Sequence, residues 1–277
     1  MTNRFPPHGR NRDDVLDELE ANKSDDVDWR GGRVGLYTHF GGDDVLEVAK
    51  DASRVYFSEN ALGPSAFPSL ARLENDVISW TLGLLNGDDT AAGSMTSGGT
   101  ESILMAVKTA RDWAREHHPN IEEPVVVAPY SAHPAFNKAA HYLGLVVRRV
   151  PIGDDFRADL DRMRDAIDES TIMLVGSAPQ FAHGVFDPIP ELAALAQEKN
   201  LWLHIDACVG GFIAPFAREL GRPIPDFDFT VPGVMSMSAD LHKYGFTAKG
   251  ASTFLLCDES LRKYQVFEFD EWSRGHY

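Results

Sequence analysis

The chain has 277 residues, 43% of them hydrophobic, which suits one large domain or two small ones around a buried core. Acidic residues number 42 against 26 basic ones, the formal net charge is −16, and no basic stripe stands out, so binding to nucleic acid or to an anionic membrane is disfavoured. Two cysteines are too few for a disulfide scaffold, and neither a membrane span nor the apolar core of a signal peptide is evident, so we expect a cytoplasmic protein.

The pattern divides the chain into two segments. Residues 1–60 predict an N-terminal arm with a short amphipathic helix, followed by a helix over 43–53 between two loops. Residues 61–277 predict one large domain, which begins with a helix over 69–85. Apolar side chains recur at helical spacing along this helix and are expected to form a buried face: Leu70, Leu73, Val77, Trp80 and Leu84.

From residue 94 onward, helical patterns alternate with short β-branched runs. The predicted strands are 124–128, 145–150, 171–175, 201–205, 234–238 and 252–256, and the predicted helices are 98–117, 134–143, 159–168 and 188–199. This alternation predicts an α/β fold with a mostly parallel sheet covered by helices. Ligands in such sheets collect at the carboxyl ends of strands, and His133, Ser177, Asp206 and Lys243 each follow a strand, so we expect one common cleft.

A lysine stands out in the run Ser236-Met-Ser-Ala-Asp-Leu-His-Lys-Tyr-Gly, because small and polar residues surround it between two strand-like runs. Such a lysine is placed to lose its proton and become a nucleophile. Most lysines are solvated, and a His-Lys pair occurs by chance in many chains, so Lys243 alone could be a surface residue. Two further segments favour the chemical interpretation.

The first of these segments is the apolar run from Leu201, which delivers Asp206 at its end into a turn of small residues. A carboxylate in such a place could merely cap the turn, or it could keep a pyridine nitrogen protonated. Because His204 lies two residues before Asp206, the two could also be metal ligands, but no third ligand at suitable spacing is apparent and no metal is expected.

The second segment is the small-residue loop Met95-Thr-Ser-Gly-Gly-Thr-Glu-Ser, which runs into an amphipathic helix. It could serve only as a helix N-cap. Backbone N–H groups at such a helix start, together with the hydroxyl groups, also make a phosphate cradle, and the two roles are compatible.

Five motifs occur along the chain: Thr96-Ser-Gly-Gly-Thr-Glu-Ser-Ile, Ser131-Ala-His-Pro-Ala-Phe-Asn-Lys, Ser177-Ala-Pro-Gln-Phe-Ala-His-Gly, His204-Ile-Asp-Ala-Cys-Val-Gly-Gly-Phe and Ser238-Ala-Asp-Leu-His-Lys-Tyr-Gly. Together they resemble the sphingosine phosphate lyases, within the wider pyridoxal phosphate group II decarboxylase family. The similarity extends over roughly residues 30–275 and keeps the order of motifs in the family.

This resemblance implies a pyridoxal phosphate transferase type I fold, a homodimer, and a C-terminal small domain that is apparently missing from this chain. It also implies pyridoxal 5′-phosphate as the cofactor, with Lys243 as the Schiff-base lysine, Asp206 as the partner of the pyridine nitrogen and His133 stacked on the cofactor ring. The other implied cofactor-binding residues are Ser97, Gly98, Gly99, Thr100, Ser177, Ala207, Ser238 and His242. Candidate bases and proton donors are Tyr37, His183, Lys249 and Lys243 itself.

The implied reaction is a retro-aldol cleavage of a phosphorylated long-chain amino alcohol or a related small amine. One loop departs from the lyase pattern. In the lyases this loop resembles Asn-Pro-Leu-His-Pro, whereas this chain has Asn60-Ala-Leu-Gly-Pro and lacks the histidine expected near the substrate phosphate. An amino-acid decarboxylase is therefore the alternative enzyme, and a truncated cofactor-binding or dimerising module is the alternative of another class.

Overall fold

A computed structural model describes residues 5–271 except 33, 36, 37 and 64, together with the backbone of 275 and 276. It divides into two compact units, Met1–Phe40 and Gly41–Tyr277. The smaller unit contains helix α1 (Arg12–Ala21), where the Asn11 side chain caps the N-terminus by accepting a hydrogen bond from the Asp13 N–H. The helix over 43–53, which we assigned to the N-terminal segment, lies in the larger unit.

The helices of the larger unit follow the predicted pattern closely. They are α2 (Asp43–Val55), α3 (Pro68–Leu84), α4 (Gly99–His117), α5 (Ala135–Leu143), α6 (Leu160–Asp165), α7 (Ile189–Lys199) and α8 (Ala214–Glu219), followed by a 3-10 helix (Glu259–Tyr264). The sequence pattern missed α8 and the 3-10 helix, which have only six residues each and therefore show little periodicity.

Seven strands form one sheet beneath these helices. They are β1 (Ala92–Thr96), β2 (Val125–Pro129), β3 (Val146–Val150), β4 (Thr171–Ser177), β5 (Trp202–Asp206), β6 (Ser236–Ala239) and β7 (Ser252–Leu256), in the spatial order β1-β7-β6-β5-β4-β2-β3. Strand β7 runs antiparallel to both of its neighbours, and the other pairs are parallel, which confirms the predicted mostly parallel sheet. A separate hairpin joins β8 (Glu268–Phe269) to β9 (Gly275–His276).

Apolar side chains cover both faces of the sheet. On one face, Ile103 and Val107 of α4 pack with the sheet, and on the other face Leu192 and Ala196 of α7 do so, all at 2% exposure or less. Strands β4 and β5 are buried along their whole length, which explains why they read as continuous apolar runs rather than as alternating ones.

Helix α3 is confirmed, but the predicted buried face is wrong at two of its five positions. Leu73 and Trp80 are 44% and 70% exposed, whereas Leu70, Val77 and Leu84 are half-buried. Thr81 is buried, and Ile78 and Leu82 pack against the core, so the helix contacts the sheet through an edge near its C-terminal end. Among the described residues, no helix is long and apolar enough to cross a membrane.

Candidate active site

A cavity of about 310 Å³ opens at the carboxyl ends of β4, β5 and β6. Its size falls in the range of roughly 300–1,000 Å³ that small-molecule sites occupy. The residues that line it include Ser97, Gly98, Gly99, Thr100, His133, Asp206, His242 and Lys243. With Pro179 and Phe181 also in its lining, the cavity brings together residues from all five motifs, as expected from the positions of these motifs after strands.

Lys243 points its ammonium group into a partly buried corner of this cavity. Its Nζ lies 2.9 Å from Oδ2 of Asp240, and its side chain is 23% exposed. Burial acts to lower the pKa of Lys243, but Cys208, Asp240 and Asp206 act against it, so the pKa lies above its ordinary value. Burial also raises the pKa of the Cys208 thiol well above its ordinary value, so this sulfur is neutral. We therefore attribute the raised pKa of Lys243 to Asp240.

Asp206 lies at the end of β5, in register with Ser177 of β4 on one side and with Ser238 of β6 on the other. One of its oxygens, Oδ1, accepts a hydrogen bond from the Cys208 N–H at 3.1 Å and another from the Ser238 hydroxyl at 3.4 Å. The residue is only 8% exposed and lines the cavity. Its neighbours thus hold the carboxylate in one orientation at the wall of the cavity.

A buried chain of hydrogen bonds supports Asp206 from behind. The indole N–H of Trp202 donates to Ser236 Oγ at 2.8 Å, Ser236 Oγ lies 2.9 Å from Nδ1 of His204, and Nε2 of His204 lies 3.3 Å from Ser238 Oγ. Because the carboxylate of Asp206 only accepts, Ser238 gives its hydrogen to Asp206 and accepts from Nε2 of His204. The hydrogen of His204 is therefore on Nε2, and Nδ1 accepts from Ser236. Burial lowers the pKa of His204 to about 3, so the imidazole is neutral and cannot be a free base in the cavity.

The loop before α4 lies directly against the lysine segment. A Cβ on Gly99 would come within 2.8 Å of Cys208 Sγ and 2.9 Å of Asp240 Oδ1, and one on Gly98 would meet the His242 ring at 3.4 Å. Gly98 also has φ 152° and ψ 167°, a backbone conformation that residues other than glycine rarely adopt. The two glycines therefore let the start of a helix of 19 residues reach the wall of the cavity.

His133 lies in the loop after β2 and faces Phe181 edge-on, with ring centroids 5.1 Å apart. Its Nδ1 accepts a hydrogen bond from the Ala135 N–H at 3.1 Å, so the ring hydrogen is on Nε2. Burial lowers the pKa of His133 below its ordinary value, although Asp206 acts to raise it. A neutral, half-buried imidazole of this kind is suited to stack on a flat ring.

Arg149 of β3 holds the loop that carries His133. Its guanidinium donates to the carbonyl oxygens of Pro129 at 2.7 Å and Ala132 at 2.9 Å, and to Oδ1 of Asn137 at 2.7 Å and 3.0 Å. The planar group thus ties the end of β2 to the start of α5. No local sequence pattern marks Arg149, because its acceptors come from β2, the loop that follows it and α5.

We expect Arg149→Lys to lower the free energy of unfolding by about 1–3 kcal/mol, because an ammonium group cannot replace the forked hydrogen bonds. A looser loop should also weaken cofactor binding several-fold, which a fluorescence titration measures. Arg148→Lys is the matched control. The adjacent Arg148 lies away from this loop, and its Nη2 lies 2.7 Å from Oδ2 of Asp168. If both variants bind the cofactor as tightly as the unmodified chain, Arg149 does not position His133.

Several other predicted site residues lie around the cavity rather than in its wall. Ser177, Ala207 and Ser238 are buried behind it at the ends of β4, β5 and β6. The His183 ring stacks on Phe156 with centroids 4.7 Å apart and does not line the cavity.

The two remaining candidates are placed differently. Lys249 is exposed, with Nζ donating to the backbone oxygen of His242 at 3.0 Å. Tyr37 lies outside the described residues.

Asp187 is a further buried residue that the sequence pattern did not single out. Its carboxylate accepts hydrogen bonds from the N–H groups of Ala158 and Ser177, both at 2.8 Å, and burial raises its pKa to about 6. These bonds close the loop after β4, from which Pro179 and Phe181 reach the cavity.

The residues present fit a flat aromatic ligand with a phosphate group and a reactive carbonyl. The cavity offers a lysine amine, a buried carboxylate, a neutral imidazole and a glycine-lined helix start, which are the groups that such a ligand needs. Ser177 Oγ is buried and finds no hydrogen-bond partner among the described residues, so the end of β4 retains an unused polar group beside Asp206. Among the described residues, no cluster of side chains could hold a metal ion.

Comparison with known proteins agrees with this chemistry. Residues 49–270 match the Pyridoxal-dependent decarboxylase conserved domain. Sphingosine-1-phosphate lyase 1 of Rattus norvegicus is 44% identical over 274 residues, which cover 99% of this chain and 48% of the rat protein. A probable L-tyrosine/L-aspartate decarboxylase of Methanothermobacter thermautotrophicus is 41% identical over 212 residues, covering 76% of this chain and 57% of that protein.

Among solved structures, the sphingosine-1-phosphate lyase of Burkholderia pseudomallei superposes with a TM-score of 0.91 at 38% identity, covering 100% of this chain and 65% of that chain. This similarity confirms the predicted fold class. The chain spans about half the length of the curated relatives that it matches.

Proposed function

The chain belongs to the family of the pyridoxal-dependent decarboxylase conserved domain, whose cofactor is pyridoxal phosphate, and from this premise we propose that it is a carbon–carbon lyase. The proposed reaction is a retro-aldol cleavage of a phosphorylated long-chain amino alcohol. The observation that carries the proposal is the convergence of Lys243, Asp206, His133 and the loop 97–100 on one cavity. The similarity to sphingosine-1-phosphate lyases supports the choice of substrate.

The residues of this chain would divide the work of binding as follows. Gly98, Gly99 and the helix start would hold the phosphate, and His133 would cover one face of the ring. Asp206 would hold a proton at the pyridine nitrogen, and Lys243 would supply the amine for covalent attachment. When bound, the cofactor supplies an aldehyde for attachment and an electron sink for the bond that breaks.

The retro-aldol reaction also needs a group that accepts the proton of the substrate β-hydroxyl. Lys243 is the candidate inside the cavity. Its amine would be able to accept a proton once the substrate amine has replaced it on the cofactor. Tyr37, His183 and Lys249 stay proposals for the same task. His183 and Lys249 would have to move toward the cavity, because neither lines it in the conformation described.

A decarboxylase is the second candidate, and two observations favour it. Gly63 occupies the position at which the lyase pattern has a histidine, and the Methanothermobacter relative is a probable amino-acid decarboxylase. The same set of residues supports both reactions, because the bond held perpendicular to the ring decides which one breaks.

An assay with two substrate classes tests the proposal. Purified chain loaded with pyridoxal phosphate is incubated with a phosphorylated long-chain amino alcohol, and aldehyde release is followed. Parallel reactions with L-tyrosine and L-aspartate are followed by release of carbon dioxide. Aldehyde release supports the lyase, and carbon dioxide alone assigns the decarboxylase. Cofactor binding without either product would identify a non-catalytic cofactor-binding module.

We also propose that the protein is a cytoplasmic homodimer. Large apolar side chains of the larger unit stay exposed, with Val48 at 69%, Leu62 at 88% and Trp80 at 70%, and a second copy would cover such side chains. The two cysteines are free thiols, which agrees with a reducing compartment. Light scattering measures the mass in solution, and a strictly monomeric protein would contradict the dimer.

A further inference from the structure

Asp240 is a buried carboxylate that contacts the amine of Lys243, although the motif analysis did not single it out. It follows β6 directly, and its side chain is only 3% exposed. Oδ2 lies 2.9 Å from Lys243 Nζ and 3.5 Å from Nε2 of His242, while Oδ1 accepts a hydrogen bond from Ser252 Oγ at 2.5 Å. Both Asp240 and Lys243 line the cavity. The ion pair therefore belongs to the wall of the site.

A chain of three hydroxyl groups ends on this carboxylate. Thr96 Oγ1 lies 2.6 Å from Ser102 Oγ, which lies 2.8 Å from Ser252 Oγ. The Ser252 hydroxyl donates to Asp240 at 2.5 Å and has the Ala239 carbonyl as a longer second acceptor at 3.2 Å. Since both of these groups only accept, Ser252 must accept from Ser102, which in turn accepts from Thr96. All three O–H dipoles thus point toward Asp240, and together they favour its negative charge and fix its orientation.

The other groups around Lys243 do not replace this charge. The Cys208 thiol is neutral, because burial raises its pKa, and burial lowers the pKa values of His133 and His242. The imidazole of His242 accepts a hydrogen bond from the Ala251 N–H at Nδ1, so its Nε2 hydrogen faces Asp240. Asp206 is a second carboxylate that acts on the amine, and Lys249 is a cation that interacts with it.

We propose that Asp240 is the resident counter-ion of Lys243, which holds the ε-ammonium group in the cavity of the chain before the cofactor binds. This inference rests on the proposed function, because it deepens the role of Lys243. An ammonium group is not a nucleophile, so the charge of Asp240 sets the pH at which the lysine becomes reactive. The hydroxyl chain from Thr96 keeps that charge in place.

The test measures the reactivity of individual lysines in the 277-residue chain without added cofactor. Trace labelling with acetic anhydride across a pH series, read by fragment-ion mass spectrometry, gives the midpoint at which each lysine becomes reactive. In the unmodified chain we expect the Lys243 midpoint above that of the exposed Lys199. Asp240→Asn keeps the shape but removes the charge, so we expect its midpoint to fall by roughly one to three pH units.

Two neighbouring residues of β7 provide a matched pair. Ser252→Ala removes the hydroxyl that donates to Asp240, and we expect a smaller fall of the Lys243 midpoint in the same direction. Thr253→Val removes an equally buried hydroxyl, which donates to the Ala239 carbonyl at 3.0 Å, and should leave the midpoint unchanged. Circular dichroism establishes that each variant is folded, and if Asp240→Asn does not fold, the comparison of Ser252→Ala with Thr253→Val decides.

An unchanged Lys243 midpoint in folded Asp240→Asn overturns the proposal, and so does an equal midpoint in the two β7 variants. Because labelling uses the protein without cofactor, the result does not depend on turnover. If the chain fails to bind pyridoxal phosphate but the midpoint shifts as expected, the proposed function fails and the ion pair stands. If the chain binds pyridoxal phosphate but the midpoint does not shift, the proposed function stands and Asp240 is not the counter-ion of Lys243.

Discussion

Lys243→Ala should abolish covalent attachment of pyridoxal phosphate and lower turnover by about 10³-fold or more. Lys243 lines the cavity, and its Nζ lies 2.9 Å from Oδ2 of Asp240. Alanine leaves no nitrogen that could bond to the cofactor carbonyl. The measurement is borohydride reduction of the loaded protein followed by peptide mapping, in which the unmodified chain should carry the label on the peptide that contains Lys243.

Lys199→Ala is the control for this experiment, because Lys199 is an exposed residue that pairs with Glu198 at 3.0 Å at the end of α7. It should keep both the label and the turnover. A cofactor label that persists in Lys243→Ala would move the covalent site to another lysine, and Lys249 would be the first to examine. Unchanged thermal unfolding of both variants would show that the difference is chemical.

The sequence predicted the sheet, and it placed many of the residues that line the cavity, because its motifs follow strands. Asp206 and Lys243 come just after apolar runs, and parallel strands bring their carboxyl ends together at one edge. Strand β1 was not predicted, because Ala92–Thr96 contains alanine, glycine and serine, which do not favour strands. Its position depends on antiparallel pairing with β7, about 160 residues later.

The supporting residues of the site could not be read from local pattern. Trp202, Ser236 and His204 form a chain only because β5 and β6 pair with His204 opposite Ser236. Strand register is a tertiary property, and a shift of one residue would turn these side chains to the other face of the sheet. Asp240 belongs to the motif that contains Lys243, but the contact between the two side chains depends on the turn that follows β6.

Asp206→Asn should still bind pyridoxal phosphate but lose turnover by about 10²–10³-fold. The substitution keeps the size of the side chain and its place at the end of β5, so the contacts with Cys208 and Ser238 are largely retained. An amide cannot stabilise a positive charge on the pyridine nitrogen, and the electron sink is therefore weakened. Equilibrium binding of the cofactor and single-turnover rates measure the two effects separately.

Asp228→Asn is the matched control, since Asp228 is also fully buried but bonds to Asn86, Arg218 and Thr230 rather than lining the cavity. It should lower stability and leave the single-turnover rate of the folded protein unchanged. Ser238→Ala should lie between the two, because it removes one hydroxyl donor from Asp206 but keeps the carboxylate. Near-unmodified rates in Asp206→Asn with cofactor bound would show that another group protonates the ring, and the hydrogen-bond chain through His204 would then serve only the packing of β5 against β6.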